Sequence, residues 1–280
     1  MQILPDLISI YRKLPVKPLN RPLNKLYKIY KSRNKNKTVI AEVDGIKYQL
    51  DLTEIIDSSI YYEGCFEPMT TAVIKKHVRE GMTVLDIGAN IGCHTLLFAK
   101  LVGRGKVISF EPMSWAYSKL KRNIELNDFN NIKLEKIALS NVIQTSQDIY
   151  FRTSWTLDGT SQGPNNKEII DFITLDEYII MHNIDKVDFI KLDVDGYEYK
   201  VISGGLATLK RDKPLLLMEL GVYSLQGAGD NIHDLVNTLT GIGYKFYSEN
   251  NLNRFQNSDA MINSIPKDGT INVLCKYETL

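Results

Sequence analysis

The chain has 280 residues, 44% of them apolar, with 34 basic and 33 acidic side chains and a net charge of +1. That length and apolar content suffice for a substantial core, in one large domain or a domain with an extension, and exclude a chain disordered throughout. Cys65, Cys93 and Cys275 are far apart with no CxxC pair, which excludes a disulfide framework and a zinc knuckle. No apolar run reaches the roughly 20 residues that span a bilayer, and the first residues begin no cleavable signal, so a cytoplasmic protein is expected.

Charge is unevenly placed. Ten basic residues against Asp6 alone give the first 40 residues a balance of +9, whereas the remainder carries 24 basic and 32 acidic residues, or −8. Leu4, Leu7, Ile8, Tyr11 and Leu14 recur at helical spacing, as do Leu23, Leu26, Tyr27 and Tyr30, with Pro15, Pro18 and Pro22 between the two sets. Residues 1–37 therefore read as a basic helical extension. It suits peripheral contact with the inner face of a membrane, an acidic partner, or the acidic body of a second copy in a homo-oligomer. Packing on its own catalytic domain with a solvated basic face suits it equally. Nucleic acid is not an expected partner, because the rest of the chain is acidic and no aromatic and basic motif accompanies the tail.

Residues 38–76 read as a β-hairpin and helical lead-in. Asp44-Gly45 separates the runs 38–43 and 46–50, a hairpin signal, and 70–80 reads as a helix. Glu67, just before Pro68, faces either a ligand or simply the positive end of that helix.

From residue 77 strands alternate with helices. Val84-Leu85-Asp86-Ile87 breaks at Gly88-Ala89-Asn90-Ile91-Gly92 and resumes at helical spacing from Cys93, the pattern of a buried strand, a tight turn and a helix. Gly88 and Gly92 let the backbone turn sharply and approach a ligand, and the helix beginning near Ile91 points free N–H groups at it. A second strand, 106–110, ends on Glu111-Pro112, where an acidic residue can accept hydrogen bonds from both hydroxyls of a ribose. The turn lacks the Gly-x-Gly-x-x-Gly spacing of a pyrophosphate site and contains no lysine or arginine. This disfavours a dinucleotide-dependent dehydrogenase and favours a phosphate-free ligand such as S-adenosylmethionine, with Asp86 facing its ammonium directly or through water.

Further along, 114–126 reads as a helix and 132–138 as the third strand. Ligands of open parallel sheets lie beyond the carboxyl ends of the strands, so Ala138 to Ser140 should border the adenine. The loop 153–167, which contains Trp155, has a composition suited to an acceptor. A helix at 175–181 leads to a fourth strand, 187–192, which delivers Asp193 and Asp195 to the same edge. A fifth strand, 215–218, ends on Glu219. A helix at 232–239 and an antiparallel pair, 244–247 and 271–275, complete an α/β fold with a mostly parallel sheet, helices on both faces and a terminal antiparallel strand pair.

Asp86-Ile87-Gly88-Ala89-Asn90-Ile91-Gly92, Phe110-Glu111-Pro112, Ala138-Leu139-Ser140-Asn141, Phe189-Ile190-Lys191-Leu192-Asp193-Val194-Asp195-Gly196-Tyr197-Glu198 and Lys213-Pro214-Leu215-Leu216-Leu217-Met218-Glu219 follow one another in order. With them the sequence resembles the FkbM-type methyltransferases over residues 61–275. The resemblance implies a Rossmann-like class I methyltransferase domain over 77–280. It also implies S-adenosylmethionine as cofactor, S-adenosylhomocysteine as product, and an acceptor among the sugars of surface glycans or secondary metabolites. The cofactor set is then Glu67, Asp86, Gly88, Asn90, Gly92, His94, Thr95, Glu111, Ala138 and Ser140. Trp155, Asp195 and Tyr197 are assigned to the acceptor. Two positions depart from the family: Asp195 stands where Glu is frequent, with the same charge and a shorter reach, and Cys93 stands where an aromatic residue is common.

Methyl transfer from sulfonium to oxygen is an in-line displacement, so positioning the acceptor supplies most of the acceleration, and a base must take the hydroxyl proton. Asp193 is the first candidate and Glu219 the second. His94 competes, but a histidine in the first turn after the glycines is expected to be neutral and hydrogen-bonded on the cofactor side. Asp193, Asp195 and Glu219 would alternatively hold a divalent ion, although no metal site is expected, and Asp195 and Glu198 would serve equally as negative residues opening the next helix. The expected function is O-methylation of a sugar hydroxyl in glycan or polysaccharide biosynthesis. The alternatives are methylation of a small secondary metabolite or of a nitrogen, and a catalytically silent cofactor-binding subunit.

Overall fold

The computed structural model describes residues 37–151 and 166–279. All but Lys37 of the basic extension lies outside the described residues, as does nearly all of the 153–167 loop, Trp155 included. β1 (Thr38–Val43) and β2 (Ile46–Asp51) pair antiparallel with Val43 opposite Ile46. Asp44 and Gly45 both take positive φ, 53° and 73°, as a two-residue type I′ loop requires. A helix not anticipated from the sequence follows, Ile55–Glu63, which buries Ile60 and Tyr62 and stops at Gly64. The lead-in helix is Pro68–His77, opened by proline and ended earlier than expected by extended backbone at Val78.

The remaining strands are β3 (Thr83–Ile87), β4 (Lys106–Phe110), β5 (Ile132–Glu135), β6 (Ala138–Ser140), β7 (Gln144–Phe151), β8 (Asn166–Thr174), β9 (Phe189–Leu192), β10 (Leu215–Leu220), β11 (Tyr244–Ser248) and β12 (Ile271–Tyr277). Seven of them form one sheet in the order β11-β12-β10-β9-β3-β4-β5. From β10 to β5 neighbours are parallel, and β12 runs antiparallel to both β10 and β11. Strand order reverses between β3 and β9, so the crevice beyond their carboxyl ends is where a ligand of such a sheet binds. Alternation along the strands builds two cores. Leu85, Ile87, Ile190 and Leu192 face one side, while Val84, Val107 and Phe189 face the helix Cys93–Val102 on the other.

The strands also differ from the sequence reading in three places. The run 132–138 is not one strand: β5 stays in the large sheet, and after residues 136 and 137 β6 pairs with β8 in a separate sheet of order β6-β8-β7. β7 and β8 were not anticipated, because the first half of β7, Gln-Thr-Ser-Gln-Asp, lacks the apolar alternation that marks a strand. β10 runs on to Leu220, which places Glu219 within the strand and opposite Asn272. Among the described residues no helix is long and apolar enough to cross a membrane.

Fully buried Asn123, on the helix Ser114–Glu125, ties the hairpin to the glycine turn. Its Oδ1 accepts from Gln49 N at 2.8 Å and its Nδ2 donates to Ile91 O at 3.0 Å. Asn123→Ala strands both backbone groups, and it is expected to lower the unfolding free energy by about 1–3 kcal/mol in urea denaturation, with the far-ultraviolet spectrum unchanged.

Candidate active site

The turn after β3 is pressed against the end of β9. Asp193 N donates to Ile87 O at 3.0 Å, and a Cβ on Gly88 would lie 1.8 Å from Asp193 O. With φ of 83° as well, position 88 requires glycine for strand packing before any ligand arrives. Gly92, φ 89°, caps the helix Cys93–Val102, and a Cβ there would lie 2.2 Å from the Leu120 side chain. Between them Asn90 takes φ of 49° and donates its backbone N–H to Glu111 Oε2 at 2.8 Å. Met113 N donates to Glu111 Oε1 at 2.9 Å. Glu111 is thus aimed by two backbone donors, and burial pushes its carboxyl up to about 7. Each oxygen keeps a lone pair for a further donor.

Below the turn a polar row crosses the sheet on the face covered by the helix Cys93–Val102. Parallel register sets Asp86 beside Ser109 on β4 and Lys191 on β9. Thr95 Oγ1 donates to Asp86 Oδ2 at 2.6 Å and lies 3.0 Å from Ser109 Oγ. Fully buried, Thr95 supports Asp86 from beneath. Burial raises the Asp86 carboxyl above its usual range.

Lys191 received no role from the sequence, yet it is 4% exposed and its Nζ donates to Asp193 Oδ2 at 2.8 Å. The available signal was a lysine inside the apolar strand Phe189-Ile190-Lys191-Leu192, since a charge in a strand covered on both faces needs a partner. Burial disfavours its ammonium, but Asp193, Asp86 and Glu67 outweigh that and hold it charged. Burial likewise raises Asp193, and Lys191 overcomes it, leaving the carboxyl below the usual range. Glu219 is hydrogen-bonded to Asp193 and accepts from Thr270 Oγ1 at 2.7 Å. Burial and the Asp193 charge push Glu219 up to about 8. At neutral pH the proton of this carboxylate pair therefore resides on Glu219, and Asp193 is ionised.

Glu67 enters from the lead-in at φ 47°, with Oε2 3.9 Å from His94 Nε2. Burial raises Glu67, while burial and Lys191 push His94 down to about 3, so the imidazole is neutral. Behind Glu67, Thr70 Oγ1 donates to Glu249 Oε1 at 2.5 Å and accepts from Asn272 Nδ2 at 3.2 Å.

The other expected residues stand on neighbouring elements. Ala138 and Ser140 belong to β6 in the smaller sheet, and a Cβ on Gly204 would lie 2.0 Å from Ser140 O. Asp195 is exposed, with φ of 50°. Tyr197 stacks on Phe172 of β8, with ring centroids 6.5 Å apart. Glu198 folds back so that Oε1 accepts from Val194 N and Gly196 N at 3.1 and 3.2 Å, bracing the loop that carries Asp195. β8 is moored beside the Glu111 turn, where Ser114 N donates to both oxygens of Glu168 at 3.0 and 2.9 Å. This mooring brings the base of the hairpin that leads into and out of the 153–167 segment close to the site.

Asp86 Oδ1, Asn90 Oδ1, Glu67 Oε2 and His94 Nε2 are buried without a hydrogen-bond partner among the described residues. All four lie on the turn, the strand before it, the helix after it or the lead-in. Three are acceptors, two of them carboxylate oxygens, and Glu111 has spare acceptor capacity nearby. A ligand bringing an ammonium and a ribose diol fits that donor deficit. Among the described residues no group of three or more His, Cys, Asp or Glu side chains is arranged to hold a metal ion.

The family profile of the methyltransferase FkbM domain matches residues 86–246. A second profile, protein-L-isoaspartate(D-aspartate) O-methyltransferase, matches residues 28–139. The chain is 23% identical to 2-O-methyltransferase NoeI of Sinorhizobium fredii over 178 residues, 55% of this chain and 71% of that protein. It is 25% identical to hexuronic acid methyltransferase AglP of Haloferax volcanii over 168 residues, 59% of this chain and 67% of that protein. The crystal structure of methyltransferase FkbM from Methylobacillus flagellatus superposes with a TM-score of 0.44 at 17% identity, covering 78% of this chain and 52% of that one.

Gly88→Ala should drive the turn and the Asp193 carbonyl apart. The expected result is a loss of at least about tenfold in S-adenosylmethionine affinity, roughly 1.4 kcal/mol, by calorimetry, in a protein that still unfolds cooperatively.

Proposed function

The chain belongs to the methyltransferase FkbM domain family and is an S-adenosylmethionine-dependent methyltransferase, and from that premise we propose that it methylates a sugar hydroxyl in glycan or polysaccharide biosynthesis. The observation that carries an oxygen acceptor is an ionised carboxylate, Asp193, fixed by Lys191 in backbone contact with the glycine turn. The relative named as a 2-O-methyltransferase supports an oxygen acceptor, and the one named as a hexuronic acid methyltransferase supports a sugar.

In this reading Glu111 accepts from the ribose hydroxyls, Asp86 and Glu67 face the ammonium, and Gly88, Asn90 and Gly92 form the cradle. His94 serves as a neutral partner on the cofactor side, Thr95 holds Asp86 from beneath, and Ala138 and Ser140 border the adenine. Bound S-adenosylmethionine supplies an electrophilic methyl on sulfonium. The acceptor hydroxyl is positioned by Asp195, Tyr197 and Trp155, and its proton passes to Asp193 as the new carbon–oxygen bond forms. Glu219 is the weaker candidate for base because it already holds a proton at neutral pH. Its proton donates to Asp193 and keeps that carboxylate in place. Residues 1–37 are assigned to peripheral membrane or self-association, residues 38–76 to the lead-in, and 77–280 to the catalytic domain.

The reading is tested by single-turnover reactions with candidate sugars and sugar nucleotides, scored as a mass gain of one methyl with release of S-adenosylhomocysteine. Product release with no sugar, but with a small metabolite, would transfer the assignment to that class. Glu111→Ala should weaken the cofactor by about 1.5–3 kcal/mol, the worth of hydrogen bonds to a charged group, and unchanged affinity in a folded variant contradicts the ribose assignment. Asp193→Asn should keep cofactor affinity while turnover falls by roughly 10²–10⁴-fold, with Glu219→Gln costing less; the reverse ranking moves the base to Glu219.

A further inference from the structure

A row of hydrogen-bonding side chains runs along the edge of the large sheet, away from the strands that carry the cofactor residues. Strand register defines it. Lys191 on β9 pairs with Leu217 on β10, Leu217 with Leu274 on β12, and Leu274 with Tyr247 on β11. Leu217 and Leu274 belong to the core on the face covered by the helix Cys93–Val102, and Tyr247 packs against it. Successive residues of a strand alternate between faces, so the positions two steps nearer the binding edge share that face. Those positions are Asp193, Glu219, Asn272 and Glu249, and Glu219 pairs directly with Asn272.

Both ends of the row are bonded. Glu219 is hydrogen-bonded to Asp193, and Glu249 to Asn272. Fully buried Thr70, on the lead-in helix, clamps the far end: its Oγ1 donates to Glu249 Oε1 at 2.5 Å and accepts from Asn272 Nδ2 at 3.2 Å. All four members are half-buried, whereas Lys191, Leu217 and Leu274 one step below are buried. The row therefore borders open space at the edge of the sheet and not the core.

Its place suits the acceptor. The cofactor residues stand on the turn after β3 and, beyond it, at the end of β4, whereas the row starts at β9 and continues through β10 and β12 to β11. At roughly 4.8 Å between strands, Glu249 stands about 19 Å across the sheet from β3. Asp193, the base, is the first member. A hydroxyl that gives Asp193 its proton sits at the head of the row, and the rest of the acceptor lies along it.

The row is made to receive donors. A carboxylate offers about four acceptor sites, and on Glu249 Thr70 and Asn272 use two of them. Neighbouring hydroxyls of a sugar supply donors for the others. An anion finds no such match. Lys191, the one buried cation among the described residues, lies beneath the row and is already bonded to Asp193. A carboxylate on the acceptor would be desolvated beside ionised Asp193 with no buried ammonium left to pair it. Resting on the reading of the chain as a sugar O-methyltransferase, we propose that Asp193, Glu219, Asn272 and Glu249 form the acceptor subsite. Glu249 positions the sugar through its hydroxyls, and the ring that enters is a neutral sugar and not a uronate.

The test compares matched acceptors with the full-length protein at saturating S-adenosylmethionine. Nitrophenyl glucoside, galactoside and mannoside are each set against the corresponding uronide and scored as a mass gain of one methyl. At least one neutral glycoside should be methylated, with its uronide at least about tenfold lower in kcat/KM, because like charges brought face to face are disfavoured. Glu249→Gln keeps the size of the side chain and an oxygen for Thr70. It should raise KM for that glycoside about tenfold, the difference between a charged and a neutral acceptor. It should also narrow the neutral-to-uronide ratio and leave S-adenosylmethionine affinity unchanged, which a merely structural role would not do. A uronide turned over as well as its neutral partner would overturn the proposal and leave the sugar reading standing, as would unchanged KM and ratio in the folded variant. Loss of cofactor affinity in Glu249→Gln would move the row to the cofactor and overturn the proposal likewise. If the variant does not fold, the wild-type ratio decides alone. Methylation of no sugar in the panel, by a protein that binds S-adenosylmethionine, would overturn the sugar reading and this proposal with it.

Discussion

The ion pair between Lys191 and Asp193 is the interaction on which the site is built. Among the described residues Lys191 is the one buried cation, and a buried ammonium without a partner is strongly disfavoured. Its partner is two residues further along the same chain, so the pair fixes the exit of β9. That exit is where Gly88 packs, and the turn beginning at Gly88 presents the Asn90 N–H that aims Glu111. A charge pair in the middle of a sheet thereby propagates through one backbone contact to the carboxylate best suited to hold a ribose.

The pair also sorts two carboxyls that would otherwise be equivalent. Asp193 and Glu219 arrive from adjacent parallel strands and meet as hydrogen-bonded neighbours, and two carboxylates in contact do not both ionise. Because the ammonium lies against Asp193, the negative charge settles there and the proton on Glu219. Glu67, Thr70 and Glu249 add a wall from segments far apart in the chain, held by the hydroxyl of a fully buried threonine. The lead-in is therefore part of the site's electrostatics as well as a cover for the sheet.

Much of this was legible in the sequence, for identifiable reasons. The hairpin at Asp44-Gly45, the glycine turn, the strand 106–110 ending at Glu111, the helix 175–181 and the terminal antiparallel pair all carry strong local signals of turn chemistry or period. Lys191 was passed over because its importance arises from cross-strand register with Asp86, which a single strand does not reveal. The break at residues 136 and 137 was hidden because β5 and β6 read as one stretch of apolar residues interspersed with Lys133, Glu135 and Lys136, and part only when β8 offers β6 a separate partner. Gly88 carries a second constraint that was hidden for a similar reason. Its missing Cβ makes room for a backbone more than 100 residues away, a long-range contact that spacing alone does not reveal.

The central claim is that Lys191 holds Asp193 ionised while Glu219 keeps the shared proton, and carboxyl carbon-13 NMR tests it most directly. Protein labelled at Asp and Glu carboxyl carbons, with Asp193→Asn and Glu219→Gln used for assignment, would be titrated from pH 3 to 9. The account predicts that Asp193 stays ionised to below the ordinary carboxylate range and that Glu219 loses its proton near pH 8. A proton resident on Asp193 at neutral pH, or both groups titrating together near pH 4, the unperturbed range, would contradict it.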